Sequence, residues 1–492
     1  MKSTMISRRR LIALATIGGA GALLAACSSS SPSASTAAQP APTQAGAATQ
    51  AAAAPAPTSA SAATTTAAAP TKAAAPTTAP QAQAASAKPV GVISFLCRPD
   101  IVTAYGAEVA IKAFTDAHPG SKISLDKPPQ GVDLVTKIRA AIASNSLVWD
   151  GYSVMETPWS TAQWVDAEII QPMDPLIGSS GEKDAQPLLA GIIPTIKEAI
   201  KYKGKIYSIP GNVGSVALQW YWEPLKAVGL SKQPATWDET YSAAKAIKAK
   251  YGDKWIPVAQ NATPLCGYFA LLWAATAAKD LVTQDGLLNI QGQGSRDALQ
   301  WMKKMVTEGL MPPTDKNVNE EFNRKGVAML LSYDVMGEDA QKTYGYDAAD
   351  TGVNIFPKDG EINSGTPFWM NGSVVFNQAK NPQGMMDFLI WWFGPSNADA
   401  QQTLVATAAK PCYSYTYDKY VKGNTKFAWE NLGIDLVAKS VAFPANTYYT
   451  IESNAIAPWC DKYLASGSTL SVDDAIKGMV GDVQAKIQAQ QG

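Results

Sequence analysis

The chain has 492 residues, among them 41 Lys or Arg and 41 Asp or Glu, so its formal net charge at pH 7 is zero. Basic residues are clustered only near the N-terminus, which argues against nucleic acid as a partner and favours neutral ligands. Beyond that N-terminal region, no segment is apolar over the ~20 residues that a membrane-spanning helix needs.

The first 27 residues read as an export signal of a lipoprotein. Ser7-Arg-Arg-Arg10 precedes an apolar run, Leu11 to Ala26, that is too short and too rich in Gly and Ala for a membrane span. Leu24-Ala-Ala-Cys27 resembles a bacterial lipobox, in which Cys27 receives the lipid. We therefore expect an exported protein, lipid-anchored at the outer face of the cytoplasmic membrane. The arginines also fit a twin-arginine signal, so the Sec and twin-arginine routes both stay open, and an uncleaved anchor helix is the alternative.

Residues 28–89 consist mainly of Ala, Ser, Thr, Pro and Gln, with Lys72 and Lys88 as the only charges. Such a composition buries too little apolar surface to offset the entropy of folding. We predict a disordered tether of ~60 residues with a root-mean-square reach of ~40–50 Å. The folded part is then 90–492, which has room for two domains.

The first folded segments alternate between strand and helix patterns, which predicts an α/β fold with a parallel sheet. In such sheets ligands bind beyond the carboxyl ends of the strands. Arg98 and Glu156 follow predicted strands and are therefore candidate site residues, with solvated loop charges as the alternative. The predicted strands are 90–96, 123–125 and 147–154, and the predicted helices are 104–117 and 132–144.

The stretch from Gly204 to Glu239 carries the most specific signals. An apolar strand pattern at 205–209 meets Pro210, Gly211 and Gly214, and a second apolar run follows at 216–222, which predicts a strand, a break and a strand. Thr236 is followed three residues later by Glu239. This capping box predicts a helix that begins at Thr236 and runs to about residue 251. Ser471-Val-Asp-Asp474 has the same spacing and predicts the cap of a final amphipathic helix.

These residues resemble the extracellular solute-binding proteins of ABC transporters, in the sugar-binding family related to maltose-binding protein. The family patterns "GKxYxxP" and "P-x-TW-x-E" are matched, while Trp220-Tyr221 stands where Tyr-Asn is usual. A later segment, 320–331, is similar to the family's "F-x-x-G-x-A-M", with one residue more before the glycine than in some members. The matching residues are Gly204, Lys205, Tyr207, Pro210, Gly229, Pro234, Thr236, Trp237 and Glu239, then Phe322, Gly326, Ala328 and Met329.

The resemblance covers nearly all of 90–492 and implies a two-lobed, periplasmic-binding-protein-like fold of type II. Lobe 1 would be 90–211 plus 336–394, and lobe 2 would be 212–335 plus 395–492. The chain would cross between the lobes near 211–215, 332–335 and 394–396. A ligand would lie in the interlobe cleft of a monomer that works with an ABC transporter permease.

A sugar site packs aromatic faces against the C–H faces of the sugar and surrounds its hydroxyl groups with carboxylates, amides and Arg. The chain has 14 Trp and 18 Tyr, most of which belong to the core. Trp220 and Trp369 are the favoured ligand contacts because they lie beside predicted crossovers or strand ends. Tyr268 and Tyr448 are weaker candidates, and Asn212 and Asp334 lie on the first and second crossovers.

Patterns for catalysis, cofactors and metals are weak. His118 is the only histidine and ends a predicted helix, where a surface or capping role is favoured over general-base work. Asp315, Asn317 and Asn319 have the spacing of a calcium loop, but Gly326 occupies the position of the required bidentate Glu. We therefore predict that the protein is not an enzyme and that it binds neither a cofactor nor a metal. The alternatives are an extracellular glycosidase or lyase that uses Glu156 and Asp334, or a binding module for a sensor.

Four cysteines remain in the exported part besides Cys27: Cys97, Cys266, Cys412 and Cys460. Outside the cytosol they permit three disulfide connectivities, which the sequence leaves open, as it does buried free thiols. The identity of the ligand is also open at this stage, because the residues around a cleft come from distant loops.

Overall fold

Eleven strands occur in the part of the chain that a computed structural model describes, which is 89–129, 134–157, 159–261, 263, 265–276, 279–313, 318–333, 344–354, 358–359, 367–407, 410–424, 434 and 436–491. The strands are β1 (Val92–Cys97), β2 (Lys122–Asp126), β3 (Gly151–Thr157), β4 (Lys201–Tyr202), β5 (Lys205–Ile206), β6 (Ile209–Tyr221), β7 (Ile256–Gln260), β8 (Val327–Tyr333), β9 (Thr351–Asn354), β10 (Pro367–Val375) and β11 (Val441–Ala442).

Helices follow most of these strands, as the alternating sequence pattern predicts. Two π-helical turns occur at Leu265–Phe269 and Tyr417–Val421, and a 3-10 turn at Ala348–Asp350. The α-helices are Pro99–Ala104, Ala107–Ala117, Leu134–Ala143, Trp159–Asp166, Asp174–Gly178, Ala185–Gly191, Pro194–Ala199, Trp222–Ala227, Trp237–Tyr251, Ala270–Thr276, Gln293–Thr307, Val318–Asn323, Pro382–Phe393, Ala398–Thr407, Ser414–Thr416, Tyr449–Leu464 and Val472–Gln491.

Within the described residues, nine strands join in one sheet. Seven of them have the order β2-β1-β3-β10-β6-β8-β7, while β9 pairs with β6 and β11 pairs with β10. β1 pairs in parallel with β2 and β3, and β7 pairs in parallel with β8. β10 is antiparallel to both β3 and β6, and β6 is antiparallel to β8 and β9. β10 therefore closes the parallel part of the sheet, and β6 continues the sheet to β8.

Two large hydrophobic clusters pack against different parts of this sheet. The first cluster contains β1, β10 and the beginning of β6, together with the helices that follow β1 and β10. The second cluster contains the end of β6, β7 and β8, and the helices from 237 to 307 and from 449 to 483. Ile209 and Val213 of β6 belong to the first cluster, whereas Val216 and Leu218 belong to the second. One strand thus passes from one core to the other.

The predicted break in the strand at Pro210 to Gly214 is wrong, because β6 continues from Ile209 to Tyr221. The glycines serve close packing instead. A Cβ atom on Gly211 would lie 2.5 Å from the Tyr105 ring, and one on Gly214 would lie 2.5 Å from the Trp369 ring. The irregularity in the pairing of β6 with β10 falls between Asn371 and Gly372, where a bulge interrupts the register.

The two predicted helix caps are confirmed. Thr236 caps the helix Trp237–Tyr251, and its hydroxyl oxygen accepts the Glu239 N–H at 3.1 Å. The Glu239 carboxylate reaches back one residue further than expected and accepts the Ala235 N–H at 2.6 Å. At the C-terminus, Ser471 Oγ accepts the Asp474 N–H at 3.1 Å, so the last helix begins where the sequence predicts.

One segment differs from the expected arrangement. The resemblance places 395–492 in lobe 2, but Ala400 and Leu404 of the helix Ala398–Thr407 belong to the first cluster, because this helix packs against the two helices that follow β1. For His118, the predicted capping role is confirmed, because it is the C-cap of the helix Ala107–Ala117, whereas the surface alternative is wrong, because the residue is 2% exposed. Among the described residues, Cys97, Cys412 and Cys460 are buried and form no disulfide bond.

Candidate functional site

The site begins where β6 passes from the first cluster to the second, between Ser215 and Val216; we call this place the junction. Residues 209–215 of β6 pair with β10, and residues 216–221 pair with β8 and β9. Ser215 is opposite Phe368, and Val216 is opposite Tyr333. Side chains at the junction can therefore contact elements of both clusters.

A row of polar residues crosses three neighbouring strands beside the junction. Glu156 of β3 is the register partner of Asn371 on β10, and Asn371 is the register partner of Asn212 on β6. We call these three positions the polar row. Asn371 Nδ2 donates to Asn212 Oδ1 at 3.0 Å, and both amides are half-buried. Amides in such a place match the hydroxyl groups of a neutral ligand.

Tyr105 supports the polar row from the first cluster. Its hydroxyl group donates to Asn212 Oδ1, and the residue is 1% exposed. Burial raises the pKa of Tyr105 well above its ordinary value, whereas a hydrogen bond from Asn371 and the charge of Arg98 act in the opposite direction. The phenol is therefore protonated at physiological pH and remains a donor.

An aromatic pair lies on the other side of the junction. The rings of Trp369 and Tyr333 meet edge to face, with centroids 4.5 Å apart and planes at 70°. Trp369 packs over Gly214, where a side chain would collide with the indole. Both aromatic residues are half-buried, so they combine core contact with access to solvent.

A second aromatic group joins the two clusters. Trp159 begins the helix that follows β3, and its ring stacks on Tyr449 with centroids 5.2 Å apart and meets Phe443 edge to face at 5.4 Å. Trp164 in the same helix belongs to the first cluster and stacks on Tyr152. The Thr447 hydroxyl group donates to Asp166 Oδ2 at 3.0 Å at the end of this helix. The helix Trp159–Asp166 is therefore in contact with both cores.

Several predicted site residues lie close to these groups. Asn212 and Trp369 are at the junction, and Glu156 occupies the first position of the polar row. Arg98 is half-buried at the end of β1, and its backbone N–H donates to Ser153 O at 3.4 Å. Tyr448 is half-buried in the segment before the helix Tyr449–Leu464, where its N–H donates to Asn446 Oδ1. Trp369 packs against the second cluster, whereas Arg98 follows β1, whose buried apolar residues belong to the first.

Trp220 and Tyr268, both predicted as ligand contacts, are buried in the second cluster. Trp220 is 3% exposed in the second cluster and meets Trp222 edge to face. Tyr268 is 2% exposed, and its hydroxyl group donates to Ser295 Oγ at 2.7 Å. Burial raises the pKa of Tyr268. Asp334 and Cys27 lie outside the described residues, as does the predicted calcium spacing at Asp315 and Asn317.

Sequence reasoning missed Tyr105, Tyr333, Asn371, Trp159 and Tyr449. Asn371 had a usable signal, since it is a lone amide in the otherwise apolar strand Pro367–Val375. The contacts of Tyr105 had none, because its partner Asn212 lies 107 residues away.

Within the described residues, no group of three or more His, Cys, Asp or Glu side chains is arranged to hold a metal ion. In the same part of the chain, no helix combines the length and the apolar character required to cross a bilayer.

Residues 109–412, more than half of the chain, match the family described as bacterial extracellular solute-binding protein. The chain belongs to this family. A curated relative from Brucella abortus (strain 2308), named as a binding protein, is 23% identical over 294 residues. That match covers 56% of this chain and 66% of the relative, so the chain spans about two thirds of the relative's length.

Solved structures of binding proteins share the fold. The GacH receptor of Streptomyces glaucescens, solved without ligand and with acarbose, superposes with a TM-score of 0.63 at 21% identity, over 81% of this chain and 98% of that one. The sugar-binding protein MalE of Xanthomonas citri superposes with a TM-score of 0.66 at 18% identity, over 81% and 98%. The predicted α/β, periplasmic-binding-protein-like fold is thereby confirmed.

Proposed function

We propose that this protein binds a neutral sugar or oligosaccharide at the junction and delivers it to the permease of an ABC transporter. The observation that carries the proposal is the convergence of half-buried amides and aromatic rings from both clusters at one crossing strand. Aromatic faces pack on the C–H faces of sugar rings, and amides bind their hydroxyl groups. The similar GacH receptor binds acarbose, and the similar MalE is a sugar-binding protein. Both support the same ligand class for this protein.

In this proposal β6 and β10 act as hinge strands, because each contacts both clusters through its pairing or its side chains. Phe368 and Met370 belong to the first cluster, whereas Trp369 packs against the second. A ligand that contacts both clusters favours the closed arrangement over the open one, which is a population shift.

The proposal also includes the position of the protein in the cell. The lipobox-like Leu24-Ala-Ala-Cys27 and the composition of 28–89 support a lipid anchor and a tether. Anchored in this way at the outer face of the cytoplasmic membrane, a monomer would stay within reach of its permease.

A thermal-shift screen of the full-length protein tests the ligand class. The panel contains neutral mono- and oligosaccharides, amino acids, peptides and polyamines, and mass spectrometry follows any ligand that stabilises the protein. We expect a saccharide to add ~2.7 kcal/mol at 100 times its Kd and to be recovered unchanged. Stabilisation by amino acids or peptides alone contradicts the proposal, and cleavage of the saccharide favours the glycosidase or lyase.

A further inference from the structure

Tyr105 contacts both asparagines of the polar row. Its O–H donates to Asn212 Oδ1, and Asn371 Nδ2 donates to the same oxygen at 3.0 Å. The three side chains are therefore joined by two hydrogen bonds that meet at Asn212 Oδ1.

This set determines the orientation of both amides. An amide group donates only through its nitrogen and accepts only through its oxygen. Because two donors converge on Asn212 Oδ1, a rotation of that amide by 180° would set its NH₂ group against the NH₂ group of Asn371 and would leave the O–H of Tyr105 without its acceptor. Asn371 uses its nitrogen within the set, so its carbonyl oxygen Oδ1 is the end of the amide that points away from Tyr105 and Asn212.

We propose that Tyr105 is a positioning residue of the binding site: its hydroxyl group fixes both amides and so selects a ligand hydroxyl that donates to Asn371 Oδ1. This inference rests on the proposed function, because it assigns ligand contact to the polar row. An amide held in one orientation presents the ligand with its oxygen only, whereas an amide that rotates can present either its oxygen or its NH₂ group. The hydroxyl group of Tyr105 thus contributes selectivity as well as affinity.

The surroundings of Tyr105 suit this role. Its ring packs against Gly211, where a Cβ atom would lie 2.5 Å away, and its backbone oxygen accepts the Trp392 Nε1–H at 3.1 Å. The first contact holds the ring and the second holds the backbone, and neither involves the hydroxyl group. The substitution Tyr105→Phe therefore removes the donor and leaves the ring contacts in place.

The first test needs no ligand. NMR of the ¹⁵N-labelled full-length protein observes the side-chain NH₂ signals of Asn371. These signals are assigned as the ones that disappear in the variant Asn371→Asp. We expect resolved signals with slow hydrogen exchange in the wild type and averaged or fast-exchanging signals in Tyr105→Phe. Unchanged Asn371 signals in Tyr105→Phe would show that Tyr105 does not fix this amide.

The second test is a double-mutant cycle with maltotriose as probe, measured by calorimetry. Tyr105→Phe should weaken binding by about three- to tenfold in the wild-type background and by less than about twofold in Asn371→Ala, because the donor acts through that amide. Tyr221→Phe is the matched control. Its hydroxyl group is also buried and donates to a backbone oxygen, that of Phe322, and its removal should leave binding unchanged.

The outcomes separate the inference from the proposed function. An equal loss of affinity in both backgrounds would overturn the positioning role while saccharide binding still holds. If the wild type binds no saccharide of the panel, the proposed function fails, and the NMR result alone decides whether Tyr105 orients the amides.

Discussion

Trp159 stacks on Tyr449 with ring centroids 5.2 Å apart and planes at 27°, although Trp164, five residues later in the same helix, is buried in the first cluster. Tyr449 begins a helix of the second cluster. The helix Trp159–Asp166 is therefore a mechanical link between the two cores. A change in the relative position of the cores must alter this stacking contact.

The hydrogen bond from Thr447 to Asp166 should stabilise the contact between the cores in the unliganded protein. Thr447→Val removes the donor and keeps the shape of the side chain, so we expect a larger radius of gyration by small-angle scattering and a loss of about 1 kcal/mol in stability. Thr450→Val, at an exposed position three residues later, is the matched control. Identical scattering curves for both variants would count against this link.

Trp220 and Trp369 should respond differently to truncation. Trp220→Ala empties a buried position and should cost ~3–5 kcal/mol of unfolding free energy with little change in affinity. Trp369→Ala removes a half-buried ring at the junction, so its main effect should be a loss of saccharide binding of about 1 kcal/mol. Denaturant unfolding and calorimetry on both variants measure the two quantities. A Trp220→Ala variant that is as stable as the wild type but no longer binds saccharide would show that Trp220 contacts the ligand.

Glu452 should make stability depend on pH. Burial raises its pKa to about 7, although Leu288 N and Asn446 Nδ2 both donate to the carboxylate. Since the pKa in the unfolded chain is about 4.3, the folded state holds more protons between these values. The contribution of protonated Glu452 to the free energy of unfolding is fully present below about pH 4.3 and is lost as the pH rises through about 7.

The corresponding measurement is the difference in unfolding free energy between the wild type and Glu452→Gln from pH 5 to 8. Glu182 also has a raised pKa, caused mainly by burial, and contributes the same background to both proteins. We expect the unfolding free energy of the wild type, relative to that of Glu452→Gln, to fall by up to about 1.4 kcal/mol for each unit by which the pH rises. A difference that stays constant across this range would show that Glu452 is not protonated in the folded protein below pH 7.

Cys27→Ser should leave the protein exported but without lipid, because the sulfur atom is the acceptor in a lipobox. Metabolic labelling with a fatty acid followed by fractionation checks this directly. Fatty acid on the Cys27→Ser variant would contradict the proposed anchor.

The sequence predicted those parts of the fold that depend on local chemistry. Thr236 and Ser471 are caps because each hydroxyl oxygen accepts the backbone N–H of the acidic residue three positions later, a contact that depends on local sequence alone. The continuity of β6 was missed because Gly211 and Gly214 resemble a turn, whereas their role is to admit the rings of Tyr105 and Trp369. Those rings come from distant parts of the chain.

The candidate site was less predictable for the same reason. Asn212 and Trp369 are predicted from the sequence because they lie on or beside the predicted crossovers. The polar row depends on the register of three strands whose residues are far apart, since Asn212 and Asn371 are separated by 159 residues. Trp220 was misplaced because neighbours on a strand face opposite sides, and only the packing shows which side is the core.

Hydrogen exchange with mass spectrometry, with and without the saccharide that stabilises the protein, tests the central claim most directly. We predict protection in segments of both clusters at the same time, at 159–166, 209–215, 367–373 and 443–449. Protection confined to one cluster, or located away from the junction around Tyr268, would contradict a binding site between the two cores.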